Sequence, residues 1–279
     1  MGELSFEEIK KLEEIARDLR ADSLRFIHRR GAGHPGGALS AAEILAVLYF
    51  HVMKIDPSNP TLESRDRFIL SKGHASAVLY AALTRRGFFS PSELDRWGEV
   101  DCPHQGHPDR LKTPGVEMTS GILGHGVAIG AGLALSARLQ KNPGRIYVLV
   151  GDGECQAGII WEGASVAAKY RLSNLVAIVD LNDVQLDGPV HEVMPVDNMA
   201  ERWRSFGWYV LEVNGHSIRQ LFEAFDLACE IHDKPVCIIA RTTKGKGVSF
   251  MENDSWWHGN VPNAEQLSQA LLELGIKEA

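Results

Sequence analysis

The segment from Ile146 to Asn182 constrains the chain more than any other. Ile146 to Val150 is an apolar, β-branched run that stops abruptly at Gly151-Asp152-Gly153. This pattern predicts a buried strand followed by a turn in which two glycines let the backbone bend sharply and approach a ligand. Residues 157 to 172 then carry a helical pattern, with Ile160, Ala164, Ala167 and Ala168 on its apolar side. A second apolar run, Leu175 to Val179, predicts the next strand, whose end delivers Asp180, Asn182 and an Asp183-Val184 turn. Strand, helix and strand in this order make a βαβ unit, with both strand ends side by side at the sheet's carboxyl edge. Asp152 and Asn182 then face each other with oxygen ligands beside helix-start amides, a set suited to a hard cation such as Mg²⁺ carrying phosphate oxygens.

A Gly-Asp-Gly alone is commonly no more than a turn. Followed by an asparagine about thirty residues on, each at a strand end, it is far more specific. The pair resembles the thiamine diphosphate binding motif, in which an aspartate, an asparagine and a backbone carbonyl hold the metal on the cofactor's diphosphate. That resemblance implies Asp152 and Asn182 as side-chain ligands and the Val184 carbonyl as the third. It also implies Gly153 and Glu154 as donors of backbone amides to the phosphates.

With 279 residues the chain has the length of one large α/β domain or two small ones. A net charge of −7 argues against general nucleic-acid binding. Cys102, Cys155, Cys229 and Cys237 show neither C-x-x-C nor zinc spacing and predict intracellular thiols without a disulfide framework. No apolar run approaches membrane-spanning length, and the start of the chain has the character of a charged amphipathic helix, not a signal peptide. No membrane association and a cytoplasmic location are the expectation.

Along the chain, Ser5 with Glu8 forms a capping box for a helix reaching about Arg30. Gly31 to Gly37 surrounds His34 with glycines and is expected to be a loop; Ser40 with Glu43 is expected to start the next helix, running through Met53. Arg67 to Leu70 predicts a short strand ending at Ser71-Lys72-Gly73-His74, a position where α/β folds place ligands. Ser90 caps a short helix with Pro91 at its first position. The stretch Cys102 to Pro108 is irregular; His104 and His107 make a weak zinc pattern without a third nearby ligand. Gly121 to Gly126 opens a small-residue helix. Its glycines imitate a dinucleotide fingerprint, but no convincing strand precedes them. Gly207 to Val213 and Pro235 to Arg241 predict strands, joined by a helix from Ile218 to about Ile231, and Ala264 to Leu274 a final helix. With no repeat or linker, a single α/β domain over residues 1–279 is expected, with a mainly parallel sheet and helices on both faces.

His34 in GAGHPGG, His74 in SKGHAS, His107 in GHPD, GILGHG at 121–126, GDGE at 151–154, LND at 181–183 and WHG at 257–259 follow the order seen in transketolase. The resemblance covers essentially the whole chain and corresponds to that family's N-terminal, diphosphate-binding domain. It implies the N-terminal subunit of a split, two-subunit transketolase of the pentose phosphate pathway. Such an enzyme transfers a two-carbon ketol unit from a ketose phosphate, such as xylulose 5-phosphate, to an aldose phosphate. Thiamine diphosphate would be contacted by His74, Gly121, Leu123, Gly153, Glu154, Asn182 and His258, with Mg²⁺ (or Ca²⁺ or Mn²⁺) on Asp152, Asn182 and Val184. His34, His107 and His258 would line the substrate channel and serve catalysis, with Lys244 nearby.

The family's cofactor-activating glutamate lies in the following, pyrimidine-binding domain. The resemblance therefore implies a C-terminal partner subunit, in an α2β2 assembly, and no turnover by this chain alone. Two departures stand out: His125 where many relatives carry glutamine, and Ala157 where the family commonly has a second glutamate, which bears on coupling between paired sites. The alternatives are a transketolase-like subunit for an unusual sugar, a 2-oxo acid dehydrogenase α subunit lacking this histidine set, and a noncatalytic scaffold.

Overall fold

The computed structural model describes residues 4–276, so the ends of the expected 1–279 domain lie outside the described residues. The first helix, α1 (Phe6–Arg30), starts where expected. Ser5 accepts from the Glu8 amide while the Glu8 carboxylate accepts from Ser5, and Gly31 closes the helix at φ 69°. Then follow α2 (Pro35–Ser40), α3 (Ala42–Val47) and a wide π turn over Leu48–Val52.

Five strands build the sheet: β1 (Arg67–Leu70), β2 (Ile146–Gly151), β3 (Leu175–Leu181), β6 (Tyr209–Asn214) and β7 (Val236–Arg241). Their order is β1-β2-β3-β7-β6 and every pairing is parallel. The crossings are made by α4 (Ser76–Arg86), α5 (His125–Leu139), α6 (Gly158–Lys169) and α9 (Ile218–Glu230), and α10 (Ala264–Glu273) ends the described chain. Alternation along β3 separates two cores. Val176 and Ile178 face the cluster containing α1, α3, α4 and α9, whereas Ala177 and Val179 face the one containing α5 and α6. Burial on both faces explains why β2, β3 and β7 are nearly continuous apolar runs, whereas the edge strand β6 is partly exposed and mixes in Glu212.

Three expectations need correction. Pro35-Gly36-Gly37 is not loop but the first turn of α2, with proline at the start of the helix. Its glycines serve close packing: a Cβ on Gly36 would meet Lys244 and the Trp257 carbonyl at 3.0 Å. Second, Ser40 does not cap the following helix. It ends α2, and its hydroxyl donates to Asp180 at 2.6 Å, while Glu43 accepts from Arg20 at 2.5 Å. A buried ion pair outcompeted the local box. Third, the helix expected to run through Met53 is broken into α3 and the π turn, and Met53 itself is extended.

Elements without a strong local pattern follow β3: a ribbon of β4 (Val184–Gln185) and β5 (Gly188–Pro189), then α7 (Val190–Val193) and α8 (Met199–Ser205). Trp203 of α8 is fully buried and packs edge-on to Trp208 at 4.8 Å, so long-range contacts hold this segment. All four thiols are free. Among the described residues no helix is long and apolar enough to cross a membrane.

Candidate cofactor and substrate site

Asp152 follows β2, whose last residue, Gly151, pairs with Asp180 of β3. The βαβ unit therefore brings the two strand ends together at the carboxyl edge. The Asp152 carboxylate, 3% exposed, accepts the amides of Gly153 at 2.7 Å, Asn182 at 3.0 Å and Asp183 at 2.6 Å. Burial, and then the charge of Asp180, push its pKa up to about 6 despite those donors. A desolvated carboxylate with a second carboxylate behind it is a site that gains from a cation. The Asn182 Oδ1 accepts from Val184 N at 3.2 Å, and the Val184 carbonyl accepts from the Lys244 ammonium at 2.8 Å. That carbonyl thus already faces a positive charge. The donor set is all oxygen, hard and few in number, and fits Mg²⁺ sharing its shell with phosphate oxygens.

The Gly153 amide is turned onto Asp152, and a Cβ there would meet the Gln185 Cβ at 3.2 Å. Glu154 contributes something the motif does not convey. Its buried carboxylate accepts from the Ser71 hydroxyl, from Gly124 N at 2.7 Å and from Gly151 N at 3.0 Å. It thereby clasps the ends of β1 and β2 to the start of α5, and burial raises its pKa.

These residues open onto a cleft of about 250 Å³ lined by His74, Leu123, Asp152, Gly153, Glu154, Asn182, Val184, Lys244 and His258, together with Lys72, Gln156 and Gln185. His34 stands at the start of α2, and its ring lies 5.2 Å from that of His74, 5.5 Å from His258 and 6.4 Å from His107. His74 and His258 stack at 5.0 Å. Four histidines from distant parts of the sequence thus share one wall. Gly121, at φ 142°, lies behind His107, where a Cβ would meet that ring at 3.3 Å.

Burial keeps all four rings neutral at pH 7. His34 and His107 are lowered by burial first and then by neighbouring positive groups. His74 is lowered well below its usual value by burial and Lys72, and His258 falls to about 3 through burial and then Lys244. A neutral ring has one donor and one acceptor, suited to hydroxyls and to passing a proton between them. Lys244 itself is lowered to about 8, by burial and then by Lys72.

The His104/His107 zinc pattern does not assemble. His104 is fully buried and stacks on Phe89 at 4.1 Å, while His107 faces His34. Among the described residues no group of three His, Cys, Asp or Glu side chains is placed to hold a metal. Lys72, Gln156 and Gln185 were not singled out by sequence reasoning. Lys72, two residues before His74 at a strand end, carried a usable signal; the glutamines carried none.

A parallel sheet with an acidic turn and a cleft at its carboxyl edge defines the class of ligand-binding open α/β domains. The family profile described as "Transketolase, thiamine diphosphate binding domain" matches residues 11–279. The chain belongs to the transketolase family, as an N-terminal, thiamine diphosphate-binding subunit. It is 41% identical to one of the subunits of the apulose-4-phosphate transketolase of Phocaeicola vulgatus, covering 96% of this chain and 95% of that one. It is 40% identical to a 6-deoxy-6-sulfo-D-fructose transketolase subunit of Clostridium sp. (strain MSTE9), covering 94% and 96%. Human transketolase is 37% identical over 96% of this chain but only 42% of its own length. Transketolase from Leishmania mexicana superposes with a TM-score of 0.90 at 29% identity, over 99% of this chain and 42% of that one.

Proposed function

We propose that this chain is the diphosphate- and metal-binding half of a two-subunit transketolase, folded as one domain. Its reaction transfers a two-carbon ketol unit from a ketose bearing an anionic group to an aldose. The observation that carries this reading is the convergence of His34, His74, His107 and His258 on the cleft beside Asp152, Asn182 and Val184. Thiamine diphosphate, when bound, supplies the carbon nucleophile that such a transfer requires.

The chain's own residues do the rest. Asp152, the Asn182 amide oxygen and the Val184 carbonyl would hold Mg²⁺, with Ca²⁺ or Mn²⁺ able to replace it. The Lys244 ammonium would offset charge of the diphosphate, whereas that of Lys72 is already neutralised by Asp180. Gly153, Glu154, Gly121 and Leu123 shape the walls of the cleft, and His74 and His258 pack against the cofactor. His34, His107 and His258, being neutral, bind sugar hydroxyls and accept or return the proton that leaves the substrate. A partner subunit supplies the pyrimidine-binding domain and the activating glutamate, in an α2β2 assembly.

Pentose phosphates such as xylulose 5-phosphate fit this chemistry. The names of the relatives at 41% and 40% identity, for apulose-4-phosphate and 6-deoxy-6-sulfo-D-fructose transketolases, favour a less common sugar with a phosphate or sulfo group. The test is reconstitution with the C-terminal subunit, thiamine diphosphate and Mg²⁺ against these three donors, with an aldose phosphate as acceptor. Transfer from at least one donor, dependent on both subunits, is expected. No transfer from any of them, or turnover on the order of 1 per second by this chain alone, rejects the reading.

A further inference from the structure

Asp180 is a fully buried carboxylate one residue before the end of β3, and it does not line the cleft. Four side chains converge on it: the Ser40 hydroxyl at 2.6 Å, the Lys72 ammonium, the Thr242 hydroxyl, and the Asn182 Nδ2 at 3.2 Å. Lys72 is itself tied to the Gly37 carbonyl at 2.8 Å. The carboxylate is thus fixed from α2, from the segment after β1 and from the segment after β7.

The consequence falls on Asn182. Its amide has two unlike ends. The Nδ2 donates to Asp180, which only accepts, and the Oδ1 accepts from Val184 N, which only donates. Turning the amide over would set oxygen against carboxylate and NH2 against N–H, two repulsive contacts in a buried place. Only one orientation survives, with the oxygen on the side of the Asp152–Val184 turn. A hard cation binds an amide oxygen and rejects an NH2 group. The second lone pair of Oδ1 remains for it.

We propose that Asp180 is a positioning residue that fixes the amide of Asn182 with its oxygen toward the metal position, and that Lys72, Ser40 and Thr242 hold Asp180 for this task. The proposal rests on Asn182 being a metal ligand.

The test uses the purified full chain, Mn²⁺ as the probe and inorganic pyrophosphate, with free Mn²⁺ read by electron paramagnetic resonance and folding checked by thermal melts. Asp180→Leu alone strands the Lys72 ammonium and risks misfolding. The decisive variant is therefore Asp180→Leu with Lys72→Met, which removes both charges of the buried pair and keeps the net charge. Replacing a whole buried pair with apolar groups is commonly tolerated. Loss of the partner that orients a ligand is expected to weaken Mn²⁺ binding by about 10- to 100-fold. Lys72→Met alone leaves the Asp180 carboxylate unpaired, so it is read together with its melt; where it folds, it keeps the acceptor for Asn182 and is expected to hold or raise the affinity.

Wild-type affinity in the double variant overturns the proposal. So does an equal loss in Lys72→Met, which would mark the pair as a clasp for the fold alone. Asp152→Ala separates this failure from that of the ligand set. If wild type and Asp152→Ala bind Mn²⁺ equally, the metal assignment fails and takes the proposal with it. If Asp152→Ala is impaired while the double variant is not, only the role of Asp180 falls.

Discussion

Two buried charge clusters lie on the side of the sheet that carries α1 and α3, and they differ in what they leave unsatisfied. In one, Arg20 pairs with Glu43, which also accepts from His216, while Arg20 donates to the Leu39 carbonyl at 3.0 Å and His216 accepts from Thr243 N at 2.8 Å. Every partner there comes from protein, and none of these side chains lines the cleft. In the other, Lys72, Asp180 and Asn182 adjoin Asp152 and an open cavity, with acceptor capacity still unused on Asn182 and Val184. Both contain a buried ion pair. Burial of charge therefore does not mark a site; spare valence at the edge of a cavity does. The two clusters even share a segment, since Thr242 serves Asp180 and Thr243 serves His216.

The sharpest way to break this distinction is Glu43→Ala. It strands a buried guanidinium and is expected to destabilise the fold by about 3–5 kcal/mol, read by urea denaturation, while leaving Mn²⁺–pyrophosphate affinity of the remaining folded protein unchanged. A tenfold loss of that affinity would erase the contrast between the clusters.

Asp152→Ala should act chiefly on affinity. Thiamine diphosphate affinity in the presence of Mg²⁺ should fall beyond the roughly 100-fold seen for outer-shell partners, with the chain still folded but its melting temperature lowered, because three backbone amides lose their acceptor. Calorimetric titration of the reconstituted complex measures this, and unchanged affinity would remove Asp152 from the ligand set.

The histidine wall adds a pH dependence. His74 faces Lys72 from its own segment, His34 from the start of α2, and Lys244 and His258 from the segment after β7. Its folded pKa lies well below its ordinary value of 6.5. As pH drops below 6.5 the unfolded chain binds protons that the folded ring refuses, so stability declines with acidification. Asp152, raised to about 6, and the buried Glu154 and Asp66, also raised, contribute with the opposite sign and take up protons on folding in acid, against five depressed histidines, His104 included. The urea midpoint is expected to fall between pH 6.5 and 5, less steeply in His74→Gln. Equal slopes would show that the ring does not carry the dependence.

The smallest effect concerns Ala157, at the half-buried start of α6, where it packs against Gly124. Ala157→Glu is expected to change stability by no more than about 0.5 kcal/mol, because its carboxylate can reach solvent. If this position bears on coupling, cofactor activation of the reconstituted complex will become biphasic or more unequal between its two sites. An unaltered time course shows that the alanine is a packing residue only.

Sequence reasoning reached the parallel strands, their helices and the Asp152–Asn182 turn because each is written in a short window. A strand buried on both faces needs a continuous apolar run, and Ser5–Glu8 or Ser90–Glu93 caps close within four residues. The same reasoning misread Ser40–Glu43, since a capping box and two long-range hydrogen bonds have the same letters. It singled out Lys244 but not Lys72, whose partner lies 108 residues away.

What the sequence determined by itself was therefore local: which runs are strands, where helices begin, and that two strand ends carry an aspartate and an asparagine. Only the tertiary structure decided that His34, His74, His107 and His258 share one wall, and that α2 folds where glycines suggest a loop. It alone set Ser40 against Asp180, 140 residues apart. The physical reason is range. Propensity and capping act over a turn of helix, whereas a buried carboxylate takes whichever donors the packed sheet brings to it, and no window of sequence contains them.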